Sequence, residues 1–230
     1  MHKTRVLVVR YENQLSQYEV PLFRGAVIGS MQGTANELYH NHTDDSVVYR
    51  YPKVQYKRIN KSAAIVAVDE GADVIGQFIS SNDACMSIGE RKENFVVKDI
   101  RANQYLVQEW DSTFEYNLRK WLPLNSENYK EYVNIEELSE KVAFLERILI
   151  GNILSFAKGI GVTLKPNIEC KLTSMTSPRL QKYKGVKMMA FDVSFKTNVL
   201  LPDYIGIGKG VSLGFGIIKR KLENLVYFEL

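Results

Sequence analysis

The first hundred residues alternate between strand-like and helix-like patterns of apolar side chains. Residues 3–11 are apolar on both faces, as in a central strand of a sheet. Turn-forming residues, and a proline at a helix start, separate the later segments. The predicted elements, in order, are a strand over 3–11, a helix from Pro21 to Met31, a hairpin with strand cores at 47–51 and 63–68 and a turn at Asn60–Lys61, a helix over 71–80 and a strand over 95–99.

The second half repeats much of this order after a segment of strand formers at 105–122, which we predict to link the two halves. Asn134 is predicted to cap a long amphipathic helix that ends at Gly159. Strands over 168–172 and 186–199 follow, and further strands close the chain.

The order strand, helix, strand, strand, helix, strand is that of the ferredoxin-like fold, which RNA-recognition domains share. We therefore expect an α+β protein of two tandem ferredoxin-like (RRM-like) domains. The predicted domains span residues 1–122 and 123–230, and the second is either complete or degenerate.

Composition narrows the class of protein. Of the 230 residues, 45% are hydrophobic and 24% are charged, as in ordinary globular proteins. No apolar run approaches the ~18 residues of a membrane span, and the N-terminus lacks a signal-peptide pattern, so we expect a cytoplasmic protein with no membrane partner. Cys85 and Cys170 are far apart and lack metal-ligand spacing, which argues against a disulfide scaffold or structural zinc.

The net charge of +4 is unevenly distributed. Between residues 158 and 221 the chain carries 12 basic and 3 acidic residues. Such a balance suits a polyanionic partner, although a solvated basic face is the simpler interpretation.

A glycine-rich segment lies within this basic region. Residues 206–216 hold five of the 15 glycines, together with one lysine: Gly206, Gly208, Lys209, Gly210, Gly214 and Gly216. Glycine adopts positive φ and brings backbone N–H groups close to a ligand, which suits a phosphate backbone. The spacing is that of neither a mononucleotide P-loop nor a dinucleotide-binding loop, and a mobile surface loop is the alternative.

The predicted N-terminal hairpin is both basic and aromatic. No acidic residue occurs between Ser46 and Val68, where cations and tyrosines interleave: Tyr49, Arg50, Tyr51, Lys53, Tyr56, Lys57, Arg58 and Lys61. Cations bind phosphates, and aromatic rings stack on unpaired bases for about 1–3 kcal/mol each. The segment is therefore a candidate for binding single-stranded RNA, unless it is the solvent face of a hairpin with half-buried tyrosines.

Histidine is scarce in this chain, which contains only His2, His40 and His42. Because histidine titrates near neutral pH, metal-free acid–base chemistry points to His40 and His42. Their spacing of two would place them on one side of an extended segment, whereas a helix would separate them. Metal binding by this pair, with Asp44 and Asp45 nearby, and incidental histidines in a polar loop are the two alternatives.

Two sets of motifs resemble known proteins. Gly-x-Gly, five residues, then Gly-x-Gly near the C-terminus resembles the glycine-rich loop of the RAMP superfamily of CRISPR-associated proteins, at Gly206, Gly208, Gly214 and Gly216. Residues 38–42, 49–57 and 69–72 resemble the N-terminal domain of the b-type branch of CRISPR repeat-RNA-processing endoribonucleases. The similarity spans most of the chain, and residues 80–135 match poorly.

The resemblance implies metal-independent and cofactor-free cleavage of CRISPR repeat RNA (pre-crRNA). The 2′-hydroxyl of the RNA would attack the adjacent phosphate and give 2′,3′-cyclic phosphate and 5′-hydroxyl ends. His40 and His42 would supply the base and the acid, Lys53 or Lys57 the cation, and Tyr49 a reserve donor. The expected RNA-binding residues are Arg50, Tyr56, Arg58, Gly206, Gly208, Lys209, Gly210, Gly214 and Gly216.

Two other functions fit less of the chain. A non-catalytic RAMP subunit that binds RNA in a CRISPR effector ribonucleoprotein has no need for a His-x-His motif beside a basic hairpin. A metal-dependent nuclease or DNA-repair factor is the other alternative, but the sequence lacks the clustered carboxylates of a two-metal site. Effector-complex subunits and a second copy of the chain are further candidate partners.

Overall fold

A computed structural model describes residues 3–31, 42–43, 46–47, 51–81, 85–165 and 167–221, with only the backbone given at 42–43, 46–47 and 81. The fold is α+β, as predicted. Its N-terminal elements are β1 (Thr4–Gln14), α1 (Val20–Ser30), β2 (His42–Thr43), β3 (Ser46–Val47), β4 (Val54–Ile59), β5 (Ser62–Val68), α2 (Glu70–Ser81), β6 (Cys85–Ile88), β7 (Arg91–Asn94) and β8 (Val97–Tyr105).

The N-terminal sheet is antiparallel, with the strand order β4-β5-β1-β8. Together with α1 after β1 and α2 after β5, this confirms the predicted ferredoxin-like order. The turn at Asn60–Lys61 is also confirmed, since both residues have positive φ, at 49° and 71°.

The first strand of the predicted hairpin lies elsewhere than expected. β5 pairs with β4 at Val54–Ile59, whereas Ser46–Val47 pairs with His42–Thr43. Pro52 has no backbone N–H to donate, and β4 begins only after it, at Val54. The prediction that 47–51 forms the first strand of this hairpin was therefore wrong.

The C-terminal half forms a second antiparallel sheet of order β10-β12-β9-β13, with β11 paired to β12. Its elements are β9 (Glu109–Trp121), α3 (Ser126–Asn134), α4 (Leu138–Gly159), β10 (Cys170–Met175), β11 (Arg179–Tyr183), β12 (Val186–Val199) and β13 (Ile217–Arg220). The strand order matches that of the first sheet, but the glycine-rich segment, with a 3-10 turn at Val211–Leu213, stands where a second helix would follow β12.

β9 occupies the region that we predicted to link the halves. It is hydrogen-bonded on one side to β12 and on the other to β13, so it is a central strand of the second sheet. We propose that the domain boundary lies between Tyr105 and Glu109 rather than at residue 122.

The long helix begins later than predicted. Asn134 ends α3, whose N-cap is Asn125, and the chain becomes extended at Ile135 before α4 begins at Leu138. α4 carries the predicted apolar stripe, with Leu149 among its buried side chains. Within the described ranges, no helix is long and apolar enough to cross a membrane.

Both faces of the N-terminal sheet are buried along β4 and β5 and in the middle of β1, whereas the edge strand β8 is largely exposed. Val9 and Ile65 pack into the core with α1 and α2, whereas Val8 and Val66 belong to a cluster that also contains the apolar face of α4. The sheet face that an isolated RNA-recognition domain offers to nucleic acid is therefore covered by the C-terminal domain.

Two glycines of α4 test this junction. A Cβ on Gly159 would lie 2.2 Å from the Cβ of Tyr51, whereas Gly151 has open space around it. We expect Gly151→Ala to stabilise the protein by up to about 1 kcal/mol through helix propensity. Gly159→Ala should instead destabilise it by about 1–3 kcal/mol through overpacking. Denaturant unfolding measures both, and equal effects would contradict the tight packing at Tyr51.

Candidate functional site

The glycine-rich segment 206–216 is packed against the N-terminal domain. Gly216 has φ +62°, and a Cβ there would lie 1.9 Å from the carbonyl oxygen of Ile207. At Gly206, a Cβ would lie 2.7 Å from Val211 Cγ1 and 3.1 Å from Lys57 Nζ. The lack of side chains at these two positions is thus required for packing, whatever ligand the loop binds.

Gly206 is held by two hydrogen bonds to side chains of the N-terminal domain, and a third bond joins those two side chains. Its N–H donates to Gln55 Oε1 at 2.9 Å, and its carbonyl accepts from the Tyr51 hydroxyl at 2.8 Å. Gln55 Nε2 donates to the same hydroxyl at 2.8 Å. Burial raises the pKa of Tyr51, so its hydroxyl stays a donor at all ordinary pH values. These bonds fix the loop on the sheet.

The Tyr51 ring extends this attachment to α4. It packs edge-on against Phe156, with ring centroids 5.0 Å apart. On the other side of the loop, a Cβ at Gly208 would lie 2.9 Å from the Trp121 ring, whose Nε1 donates to Asn152 Oδ1 at 2.9 Å. The loop therefore fills the space between the two domains.

Lys57 lies beneath the loop and is completely buried. Among the described residues its Nζ has no hydrogen-bond partner. Burial alone lowers the pKa of the Lys57 ammonium from 10.5 to about 7. Gln55 and Lys57 alternate along β4 with Val54 and Tyr56, which lie in the opposite core of the sheet.

The other predicted cations are placed differently. Lys53 Nζ lies 3.4 Å from Asp69 and 3.3 Å from Glu70, so two carboxylates share its charge. Arg58 Nε donates to the carbonyl of Leu15. Neither side chain lies against the glycine-rich loop in the way that Lys57 does.

The sequence-based role of Tyr56 in base stacking does not fit the structure. Its side chain is 1% exposed and packs edge-on against Phe23 in the N-terminal core. Alternate side chains of β4 point to opposite faces of the sheet, so the Tyr56 ring lies in the N-terminal core and Lys57 on the other face.

Several predicted site residues lie outside the described part of the chain. His40, Tyr49 and Arg50 fall there, and only the backbone of His42 is described, paired with Val47. Their catalytic and RNA-binding roles stay predictions. Within the described ranges, no three His, Cys, Asp or Glu side chains are grouped so as to hold a metal ion.

Lys209 carries the exposed charge of the glycine-rich loop. Its backbone N–H donates to the carbonyl of Leu122 at 3.3 Å, and its side chain is exposed. The loop thus joins a buried attachment at Gly206 to a surface cation at Lys209.

Models of protein families match almost the whole chain. The Cas6b N-terminal domain matches residues 2–105, and the Cas6b C-terminal domain matches residues 108–221. The chain belongs to the Cas6b family. The resemblance to the b-type branch is thereby confirmed, and the two matches meet just before β9.

Solved structures agree with this Cas6b assignment. A crystal structure of Cas6b has a TM-score of 0.84 at 27% identity, covering 96% of this chain and 100% of that chain. A structure described as the CRISPR RNA processing endoribonuclease Cas6b has the same fold, with a TM-score of 0.73 at 23% identity and the same coverage. An uncharacterized protein of Methanocaldococcus jannaschii is 40% identical over 103 residues, which is 45% of this chain and 69% of that protein.

The sequence analysis missed Gln55 and the loop-binding role of Tyr51 in this Cas6b-family protein. The period of two along β4 places Gln55 on the same face as Lys57, and that pattern was the available signal. The sequence could not show that Gly206, 151 residues away from Gln55, covers this face.

The buried Lys57 predicts a pH dependence of stability. Between pH about 7 and 10.5 the unfolded chain holds a proton on Lys57 that the folded chain has released, so the free energy of unfolding should rise with pH across this window. Lys57→Met should be the more stable protein at pH 7, and its advantage over the wild type should shrink towards pH 10.5.

Melting temperatures of the two proteins measured from pH 6.5 to 10.5 check this prediction. Lys98→Met, at an exposed position of β8, is the matched control and should follow the wild type at every pH. A constant difference between wild type and Lys57→Met would contradict the prediction, because it would mean that the pKa of Lys57 is the same in the folded and unfolded protein.

Proposed function

We propose that this protein is an endoribonuclease that cleaves CRISPR repeat RNA (pre-crRNA) in the cytoplasm. The observation that supports this most strongly is the match of Cas6b domain models to residues 2–105 and 108–221. The glycine-rich loop, attached to the N-terminal sheet through Gly206, adds a backbone-rich and cationic segment at the junction of the domains.

The proposed chemistry is a transesterification within the RNA. The 2′-hydroxyl attacks the adjacent phosphorus, the 5′-oxygen leaves, and the products end in 2′,3′-cyclic phosphate and 5′-hydroxyl. One of His40 and His42 accepts the proton of the 2′-hydroxyl, and the other donates a proton to the leaving oxygen. Tyr49 is the reserve donor for the leaving group.

A cation must stabilise the charge of the phosphorane. Of the two proposed lysines, Lys53 already shares its charge with Asp69 and Glu70, which would compete with a phosphate. Lys57 Nζ has no such partner among the described residues, but burial lowers its pKa to about 7, so much of it is uncharged at and above neutral pH. Lys57 is also completely buried beneath the attached loop, whereas the Lys53 side chain is 18% exposed, so we favour Lys53 as the cation.

The proposed RNA path follows the exposed cations. Lys209 lies at the surface of the glycine-rich loop, and Arg58 lies within β4. Arg50 is a further predicted contact and falls outside the described residues. The stretch from Cys170 to Phe191 contains five basic residues and no acidic one, and it includes the β11–β12 hairpin. Such a concentration of positive charge suits the phosphates of RNA.

Cleavage of the genome's own repeat RNA tests this proposal. We expect cleavage to persist in EDTA and to stop when a 2′-deoxy nucleotide replaces the cleavage-site nucleotide, because the nucleophile belongs to the RNA. Mass spectrometry of the products should show 2′,3′-cyclic phosphate ends. Activity that is lost in EDTA and restored by magnesium or manganese would contradict the mechanism.

Histidine variants separate catalysis from binding. His40→Ala and His42→Ala should each slow single-turnover cleavage by about 10²–10⁴-fold, with little change in RNA affinity. His2→Ala is the matched control and should cleave at the wild-type rate.

Tight RNA binding without cleavage by the wild type would instead identify a non-catalytic subunit of an effector complex. Gel filtration with and without RNA would detect a homodimer.

A further inference from the structure

Four cations from both domains gather beside the glycine-rich loop. The carboxylate of Asp192 binds three of them. Its Oδ2 lies 2.5 Å from Arg179 Nη2 and 3.5 Å from Arg119 Nη1. The backbone N–H of Lys120 donates to Asp192 Oδ1 at 2.7 Å. The fourth cation, Arg58, comes from β4 of the N-terminal domain.

Arg58 and Lys120 point to the same short segment before α1. Arg58 Nε donates to the carbonyl of Leu15, and Lys120 Nζ donates to Oε1 of Gln17, two residues further along the chain. We name these four side chains, Arg58, Arg119, Lys120 and Arg179, the junction cluster.

The charge of the junction cluster is not balanced by the described residues around it. The oxygens that bind Arg58 and Lys120 are neutral, and the two other cations share the single carboxylate of Asp192. Glu19, close in sequence to Gln17, is bound by Arg91 and Ser16 instead. Burial lowers the pKa of Lys120, and repulsion from Arg58 and Arg179 lowers it further, against the opposing attraction of Asp192.

The backbone at Lys120 fixes the cluster in place. Lys120 has φ +52°, in the left-handed region that a lysine rarely adopts. Its carbonyl accepts from Gly216 N–H at 3.0 Å, so the strained residue is bound to the glycine-rich loop as well as to Asp192. Such backbone strain concentrates at functional sites.

We propose that the junction cluster is a phosphate-binding site, in which one backbone phosphodiester of the RNA bridges Arg58 of the N-terminal domain and Lys120 and Arg179 of the C-terminal domain. Arginine side chains bind phosphate through paired N–H donors, and the side chains of Arg119 and Arg179 are 62% and 69% exposed, within reach of a ligand. This site rests on the proposed function for the identity of its ligand as RNA.

The site also couples RNA binding to the joining of the domains. Without an anion, Arg58 repels Lys120 across the junction; with a phosphate between them, the repulsion becomes mutual attraction to the ligand. Removing one charge should therefore have opposite effects on the free protein and on the complex. A purely structural cation would not show this reversal.

Binding of an uncleavable 2′-deoxy repeat oligonucleotide tests the site, with affinity measured at several salt concentrations for Arg58→Gln, Lys120→Asn and the wild type. Asparagine tolerates the left-handed backbone at position 120. Each variant should bind more weakly across sequences, and the slope of log K against log salt should fall by about 0.7 for each lost contact with a single strand. Lys98→Gln is the control, since β8 is the opposite sheet edge from β4, about 14 Å away.

A second readout needs no RNA. At equal ionic strength, inorganic phosphate should raise the melting temperature of the wild type above its value in chloride, and this gain should fall in Arg58→Gln and Lys120→Asn. In chloride, both variants should melt at or above the wild-type temperature.

Unchanged salt slopes and unchanged phosphate stabilisation in folded variants would overturn the site, even if the protein cleaves repeat RNA. Phosphate binding at the cluster without RNA cleavage would overturn the proposed function and leave the site standing.

Discussion

The hydrogen bonds of Gly206 determine how the two domains act together. Both polar backbone groups of this residue are bound by side chains of the N-terminal domain, Gln55 and Tyr51. Because the bonds are buried, breaking any of them leaves a polar group unsatisfied, at about 1–3 kcal/mol each. The glycine-rich loop is thereby a fixed part of the junction rather than a free surface segment.

Attachment of the loop explains two features that are unfavourable on their own. Lys57 is buried without a hydrogen-bond partner in the described structure, because the loop covers β4 so closely that only glycine fits at position 206. Lys120 is held in a left-handed conformation partly by its bond from Gly216. Buried lysine and backbone strain both lower stability, and both lie where the RNA is proposed to bind.

Local patterns predicted the order of elements well. The alternation in β1 and the turn at Asn60–Lys61 are properties of neighbouring residues, and the glycine spacing at 206–216 pointed to the family that the domain models confirmed. β9 was mistaken for a linker because its partners are distant in sequence: Trp121 pairs with Phe191. For the same reason, Tyr56 and Lys57 were expected to contact RNA. Charge and local sequence give no sign of the distant loop that buries the lysine.

Amide hydrogen exchange at Gly206 tests the central claim that the N-terminal domain holds the glycine-rich loop. In the wild type we expect strong protection of this amide, and Gln55→Met should remove its acceptor while filling the same space. The account predicts that Gly206 and its neighbours in the loop then exchange faster, while Val8 and Val66 in the N-terminal sheet keep their protection. Unchanged protection of Gly206 in the folded variant would contradict it, and would mean that the C-terminal domain alone holds the loop.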